Sequence, residues 1–286
     1  MEHDRPSRTA GYVAALRGLG VLLPPAGRLI DDRFGAEWTG YAGLRRLATV
    51  MPAAAQRLSR PMWRWLLYMQ VRTFALDQEV VRFAQQGGRQ LVLLGAGLDA
   101  RALRLHHLGL RVFEIDHPAT QAHKRRLLGD AATFVAWDFE HDSLQELPQR
   151  LGDLGYRREE CGCVVWEGVT MYLSEAANAA TFVMLADLLA PGSAVAFTYF
   201  AKDLLAAPGW RNRLMRQFVA HHGEPWVFGW DPEQLPAFLA ARGFALEHDD
   251  STLDLATRWL PRDLAARLSE DQRRVALARR VAFTLR

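Results

Sequence analysis

The sequence predicts an α/β fold: a mostly parallel, twisted sheet with helices on both faces. Three observations carry this. After Gly87-Gly88, short apolar runs alternate strictly with segments of helix length. Four successive runs end in a glycine turn or an acidic residue, the pattern of a sheet that binds ligands at its carboxyl edge. The chain has 286 residues, half of them apolar, so it can bury about three quarters of its unfolded surface without a disulfide or metal.

In order along the chain, residues 1–88 read as a helical amino-terminal cap. Tyr41 to Leu47, Met62 to Val71 and Thr73 to Phe83 carry apolar residues at three- and four-residue spacing, and Pro24-Pro25, Pro52 and Pro61 divide them. Residues 89–286 form the main domain. Its strands are expected at Leu91 to Leu94, Val112 to Ile115, Thr133 to Trp137, Cys163 to Trp166 and Ala194 to Tyr199. Helices fall between them at Arg101 to His107, Pro118 to Leu128, Leu144 to Leu151 and Glu175 to Ala190, with Ser174 as N-cap of the last. An insertion rich in Arg and Trp interrupts the rhythm near 202–230. A helix at Pro232 to Arg242 and a strand at Phe244 to Glu247 resume it, and Val281 to Leu285 is the expected closing strand. The basic segment Arg262 to Arg280, interleaved with Asp263, Glu270 and Asp271, reads as a solvated helix face.

Composition excludes several function classes. Thirty-five basic and thirty-two acidic side chains leave a charge of only +3, which argues against a nucleic-acid surface. The longest uncharged stretch, Leu188 to Ala201, is broken by Pro191-Gly192 and is too short to span a bilayer; Glu2 and Asp4 oppose a secretory signal. Cys161 and Cys163 are one residue apart, unsuited to a mutual disulfide, which points to a cytoplasmic, reducing setting. Neither they nor the scattered histidines have metal-ligand spacing, so no metal is expected.

Chemistry concentrates at the strand ends. The first strand runs into Gly95-Ala96-Gly97-Leu98-Asp99-Ala100-Arg101, where the first glycine allows a tight turn and the second lets backbone approach a ligand. That loop is shared by NAD, FAD and S-adenosylmethionine folds. Some twenty residues on, Glu114 and Asp116 compete to accept ribose hydroxyls, strand register deciding between them. Asp138 beside Phe139 suits an exocyclic amine next to a ring face, and Glu167 ends the fourth strand. A dinucleotide would bring its pyrophosphate close to the Asp99 carboxylate. S-adenosylmethionine carries no phosphate, and its ammonium tolerates acids, which favours the methyl donor.

The strings Leu93-Leu94-Gly95-Ala96-Gly97-Leu98-Asp99-Ala100-Arg101, Phe113-Glu114-Ile115-Asp116-His117-Pro118, Trp166-Glu167-Gly168-Val169-Thr170-Met171-Tyr172-Leu173 and, upstream, Val71-Arg72-Thr73-Phe74-Ala75-Leu76-Asp77 resemble the leucine carboxyl methyltransferase family. The resemblance is closest to its bacterial branch of S-adenosylmethionine-dependent methyltransferases, some of which methylate polyketides, and covers roughly Arg72 to His248. It implies a Rossmann-like class I methyltransferase whose cap lies over the active site. It further implies that Arg72 clamps the methionine carboxylate, Gly95 and Gly97 form the loop, Asp116 takes the ribose, Asp138 with Phe139 holds the adenine, and Glu167 lies beside the methionine portion. The family often shows Asp-Leu where this chain has Asp138-Phe139.

Methyl transfer is an in-line displacement for which the protein supplies positioning. A carboxylate acceptor needs no base, whereas a phenol or enol would need one; His117 and Tyr172 are the candidates, each with a bland alternative as turn or packing residue. The reading is therefore an O-methyltransferase acting on a carboxylate or acidic hydroxyl of a small, aromatic or polyketide molecule. The alternatives are an NAD(P)-dependent oxidoreductase, a tRNA or protein carboxyl methyltransferase, and a cofactor-binding regulator without turnover. Trp210, Trp226, Phe228 and Trp230, with Arg211, Arg213 and Arg216, could lid a flat aromatic acid or simply bury the insertion. Trp38, Trp63 and Trp65 pose the same choice, and Met62 to Met69 is expected to pack within its helix.

Overall fold

The computed structural model describes residues 8–129, 131–139, 141–206, 217, 225–268 and 272–282. Seven strands form one sheet: β1 (Gln90–Leu94), β2 (Arg111–Asp116), β3 (Thr133–Ala136), β4 (Gly162–Trp166), β5 (Ala194–Phe200), β6 (Phe244–Ser251) and β7 (Arg273–Arg280). Their order is β3-β2-β1-β4-β5-β7-β6. The first five run parallel, and β7 is antiparallel to both neighbours. The chain reverses direction across the sheet between β1 and β4, which opens a crevice at the carboxyl ends of those strands.

Both sheet faces are buried, so the central strands are apolar at every position. Alternation sorts their side chains between two cores. Leu91, Leu93, Val165, Val275 and Leu277 pack on one face with Leu66, Leu67, Val71 and Leu76 of the helix Trp63–Gln85. Val92, Leu94, Trp166, Phe197 and Ala276 pack on the other with Phe182 and Leu185 of Glu175–Leu188. The Ser174 hydroxyl caps that second helix by accepting from the Ala177 amide at 3.1 Å, as expected.

Met62 to Val71 and Thr73 to Phe83 fuse into one 23-residue helix, here α5, roughly 35 Å long. Ahead of it come α1 (Arg8–Gly18), α2 (Arg33–Trp38), α3 (Ala42–Val50) and α4 (Pro52–Ser59). The carboxyl-terminal expectation is corrected. The strand that closes the sheet is β7, not Val281 to Leu285, of which Val281 and Ala282 are outside any strand and the rest lies outside the described residues. Likewise Arg262 to Arg280 is not one solvated helix: a short helix, Arg262–Ala265, precedes β7, which pairs along its whole length with β5. Among the described residues no helix is long and apolar enough to cross a membrane.

Candidate active site

A cavity of about 940 Å³ opens at the carboxyl edge, roofed by the cap. Its size lies near the top of the range of about 300–1,000 Å³ for small-molecule sites. Arg72, Gly95, Gly97, Asp99, Asp116, His117, Asp138, Phe139, Glu167 and Tyr172, which are all the candidate residues of the sequence, line it.

The glycine loop takes its shape from two left-handed residues, Gly95 (φ +67°) and Gly97 (φ +46°). A Cβ on Gly95 would stand 2.5 Å from Val169 Cγ2, and one on Gly97 would press on the Ala10 methyl of the cap at 3.1 Å. The loop amides are spent inside the protein. Gly95 and Ala96 donate to the Ile115 carbonyl, Asp99 donates to the Ala96 carbonyl, and Gly97 donates to the Asp116 carboxylate at 2.6 Å. A pyrophosphate would need such amides, whereas a nucleoside without phosphate does not. The loop therefore fits S-adenosylmethionine better than a dinucleotide.

Register separates the two acids of β2. Glu114 is wholly buried, its carboxylate 2.5 Å from Lys124 Nζ, and does not reach the cavity. Burial pushes its pKa up to about 7 against the pull of Lys124. Asp116 lies on the cavity wall. It accepts from the amides of Gly97 and His117, and burial outweighs those bonds and raises its pKa. Its two oxygens offer about four lone-pair sites, so room remains for a ribose hydroxyl.

Beneath the loop lies a network of buried charges that spacing alone did not reveal. Glu167 bridges Arg72 (2.8 Å) and Arg101 (2.7 Å) and accepts from the Thr73 hydroxyl at 2.9 Å. Arg101, with no exposed surface, also meets Asp77 at 2.7 Å and Asp99; Arg104 meets Asp77, and Arg17 of the cap meets Asp32 at 2.9 Å. Burial works against the ionised Glu167, yet the cations Arg101 and Arg72 hold its pKa below the usual carboxylate range. For Arg72 burial lowers the pKa, but Glu167 and Tyr68 outweigh it and keep the guanidinium charged. Asp99 is likewise held ionised against burial, chiefly by Arg101. Asp99 and Glu167 thus border the cavity as members of this network rather than as isolated acids. Arg72 faces Gly168 (φ +72°), where a Cβ would come within 3.6 Å of its guanidinium; the missing side chain keeps that face open.

The remaining candidates fall at the rim. His117 caps the helix Pro118–Leu128, its Nδ1 accepting from the Ala119 amide at 3.3 Å, and its Nε2 lies 3.5 Å from Asp138. Asp138 also meets His141 at 3.0 Å, and Phe139 packs at the edge of the second core. Both ring nitrogens of His117 are engaged, the geometry of a turn residue rather than of a free base.

The aromatic residues divide. Trp65, Tyr68 and Trp226 line the cavity, as do Met62 and Met69, which overturns the expectation that Met62 to Met69 only packs. Phe228 and Trp230 instead join a ring cluster around Phe182 and bury the insertion. Trp210, Arg211, Arg213 and Arg216 lie outside the described residues. Arg17, Tyr68, Arg101 and Arg273 were not legible as site residues; for Arg101 and Tyr68 the available signal was their placement next to the loop and four residues before Arg72.

The leucine carboxyl methyltransferase family model matches residues 10–186, which contain the loop, both acidic strand ends and the Arg72–Glu167 pair. The chain belongs to this family. A Mycobacteroides abscessus relative, named as an S-adenosyl-L-methionine-dependent methyltransferase, is 31% identical over 267 residues, covering 88% of this chain and 80% of the relative. A Parafrankia relative of the same description is 34% identical over 173 residues, which is 59% of this chain and 56% of the relative's length. The fold is that of a Thermobifida fusca protein named as a methyltransferase (TM-score 0.56, 17% identity, 98% and 97% of the two chains). A DUF574 family protein from Streptomyces avermitilis also scores 0.56, at 16% identity and with 92% and 99% covered. S-adenosylmethionine is the family's cofactor.

Proposed function

We propose that this chain is an S-adenosylmethionine-dependent O-methyltransferase acting on a carboxylate or acidic hydroxyl of a small apolar molecule, of aromatic or polyketide type. The observation that carries this reading is the continuity of one cavity from the loop and acids of β1, β2 and β4 into a chamber walled by Trp65, Tyr68, Met171, Tyr172, Phe200 and Trp226. The first part matches the donor's chemistry and the second suits an apolar acceptor.

When bound, S-adenosylmethionine supplies an electrophilic methyl group. Arg72 is placed to take the donor's carboxylate with its fork of N–H groups, held in orientation by Glu167. Asp116 would accept from the ribose, and Asp138 with Phe139 would border the adenine. The cap helices contribute Thr9, Ala10, Val13 and Leu16 to the same wall and exclude water. A carboxylate attacks without a base, consistent with a His117 already occupied as a helix cap. Tyr172 is the remaining group on the wall that a phenolic acceptor would have beside it.

Incubation with methyl-labelled S-adenosylmethionine and a set of aromatic acids and phenols tests this. Volatile label released by mild alkali identifies an ester, and an alkali-stable product an ether. Absence of any labelled small molecule, with label on tRNA or protein instead, would overturn it.

A further inference from the structure

The search ended at Arg273, the first residue of β7. Because β7 runs antiparallel to β5, this end of it lies at the carboxyl edge, opposite Phe200. In the strand order, β1, β2, β3 and β4 carry the donor-side residues, so β5 and β7 border the other half of the cavity. Arg273 is 6% exposed and lines that half. Its guanidinium carbon stands 4.9 Å from the Tyr68 ring centroid, 5.1 Å from Trp65 and 5.8 Å from Phe200, so three aromatic faces hold it. Arg72 lies 5.3 Å from the same Tyr68 ring. Tyr68 therefore stands between two guanidinium groups, one with Glu167 on the donor side, the other on the chamber side.

We infer that Arg273 recognises an anionic group, in the first instance a carboxylate, on the methyl acceptor. This rests on the methyltransferase reading above and narrows its acceptor to an apolar acid. The physical reasons are general. A guanidinium stays charged at any working pH and presents a planar fork that matches a carboxylate. Aromatic faces hold it by its π surface and leave the N–H edge to point along the wall. It is already out of water, so its attraction for an anion is little screened. The same burial lowers the pKa of Arg273, with Arg72 adding to the effect and Tyr68 opposing it, a cost that an arriving anion would relieve. Aromatic walls next to the cation suit the apolar body of the acid.

The test is calorimetric titration of the protein saturated with S-adenosylhomocysteine. The probes are 2-naphthoate, cinnamate and dodecanoate, each paired with its carboxamide. At least one acid should bind the wild type tenfold or more tighter than its amide. In Arg273→Gln that preference should vanish, while S-adenosylhomocysteine binding stays within twofold. Arg273→Lys should keep part of the preference. If Arg273→Gln loses S-adenosylhomocysteine binding through misfolding, Arg273→Met, which keeps the apolar stem in the aromatic cage, carries the same comparison. An acid preference that persists without the arginine overturns the inference, as does a wild type that binds S-adenosylhomocysteine but prefers none of the acids. A wild type that binds no S-adenosylhomocysteine sinks the broader reading as well.

Discussion

Glu114 and Asp116 lie two residues apart on one face of β2, and sequence logic could not choose between them. A difference of one pleat decides: Lys124 captures the first inside the fold, and the second reaches the loop. Asp116→Ala should weaken S-adenosylhomocysteine binding by about 1–3 kcal/mol, the cost of leaving buried donors without their acceptor. Glu114→Gln should leave that affinity unchanged by calorimetry. Its effect belongs to stability. The folded pKa of about 7 exceeds the ordinary 4.5 because burial outweighs Lys124. The folded state thus binds the proton more tightly than the unfolded chain. The resulting stabilisation is fully present below about 4.5 and is lost as pH rises through about 7. Urea unfolding between pH 4 and 8 should show a shallower fall across that window in Glu114→Gln. Equal slopes would refute the assignment. The other residues that sequence missed share one trait: Arg17, Arg101 and Arg273 are buried cations, a class that composition assigns to the surface.

Elements were legible where polarity followed the pleat. The strands β1, β4 and β5 read as continuous apolar runs because both sheet faces are covered, and the Ser174 cap marked a helix start. β7 was hidden because Arg273, Arg274, Arg279 and Arg280 flank its short apolar centre, Val275 to Ala278. The long side chains of Arg274, Arg279 and Arg280 carry charge to Asp249, to Glu247 and to backbone carbonyls while the strand itself stays in the sheet. Which segment closes the sheet is open to a direct comparison. Leu277, with no exposed surface, sits in the first core, so Leu277→Ala should cost about 2–5 kcal/mol in denaturant unfolding. Val281 is exposed, and Val281→Ala should stay within about 0.5 kcal/mol. The reverse ranking would restore Val281 to Leu285 as the closing strand.

At the scale of the whole molecule, the cap and the sheet are joined through the cavity, a relation that no local pattern encodes because its partners are far apart in sequence. Arg17 of α1 is the clearest link: it holds Asp32 within the cap and donates to the Leu98 carbonyl of the loop at 2.5 Å. A donor bound between cap and loop should therefore stabilise both. At a hundred times its Kd, S-adenosylhomocysteine adds about 2.7 kcal/mol to the folded state, which for a chain of this size raises Tm by roughly 5–10 °C. NADH, whose pyrophosphate would find the loop amides already engaged, should give no shift. Arg17→Met keeps an apolar stem but releases Leu98. If cap and loop close on the donor together, its affinity should fall about tenfold, and the shift at the same concentration should drop to about half. Differential scanning calorimetry of both proteins, with and without each ligand, reads this directly. A full shift in the variant would show that the loop alone binds the donor, and that the cap serves only the acceptor side of the cavity.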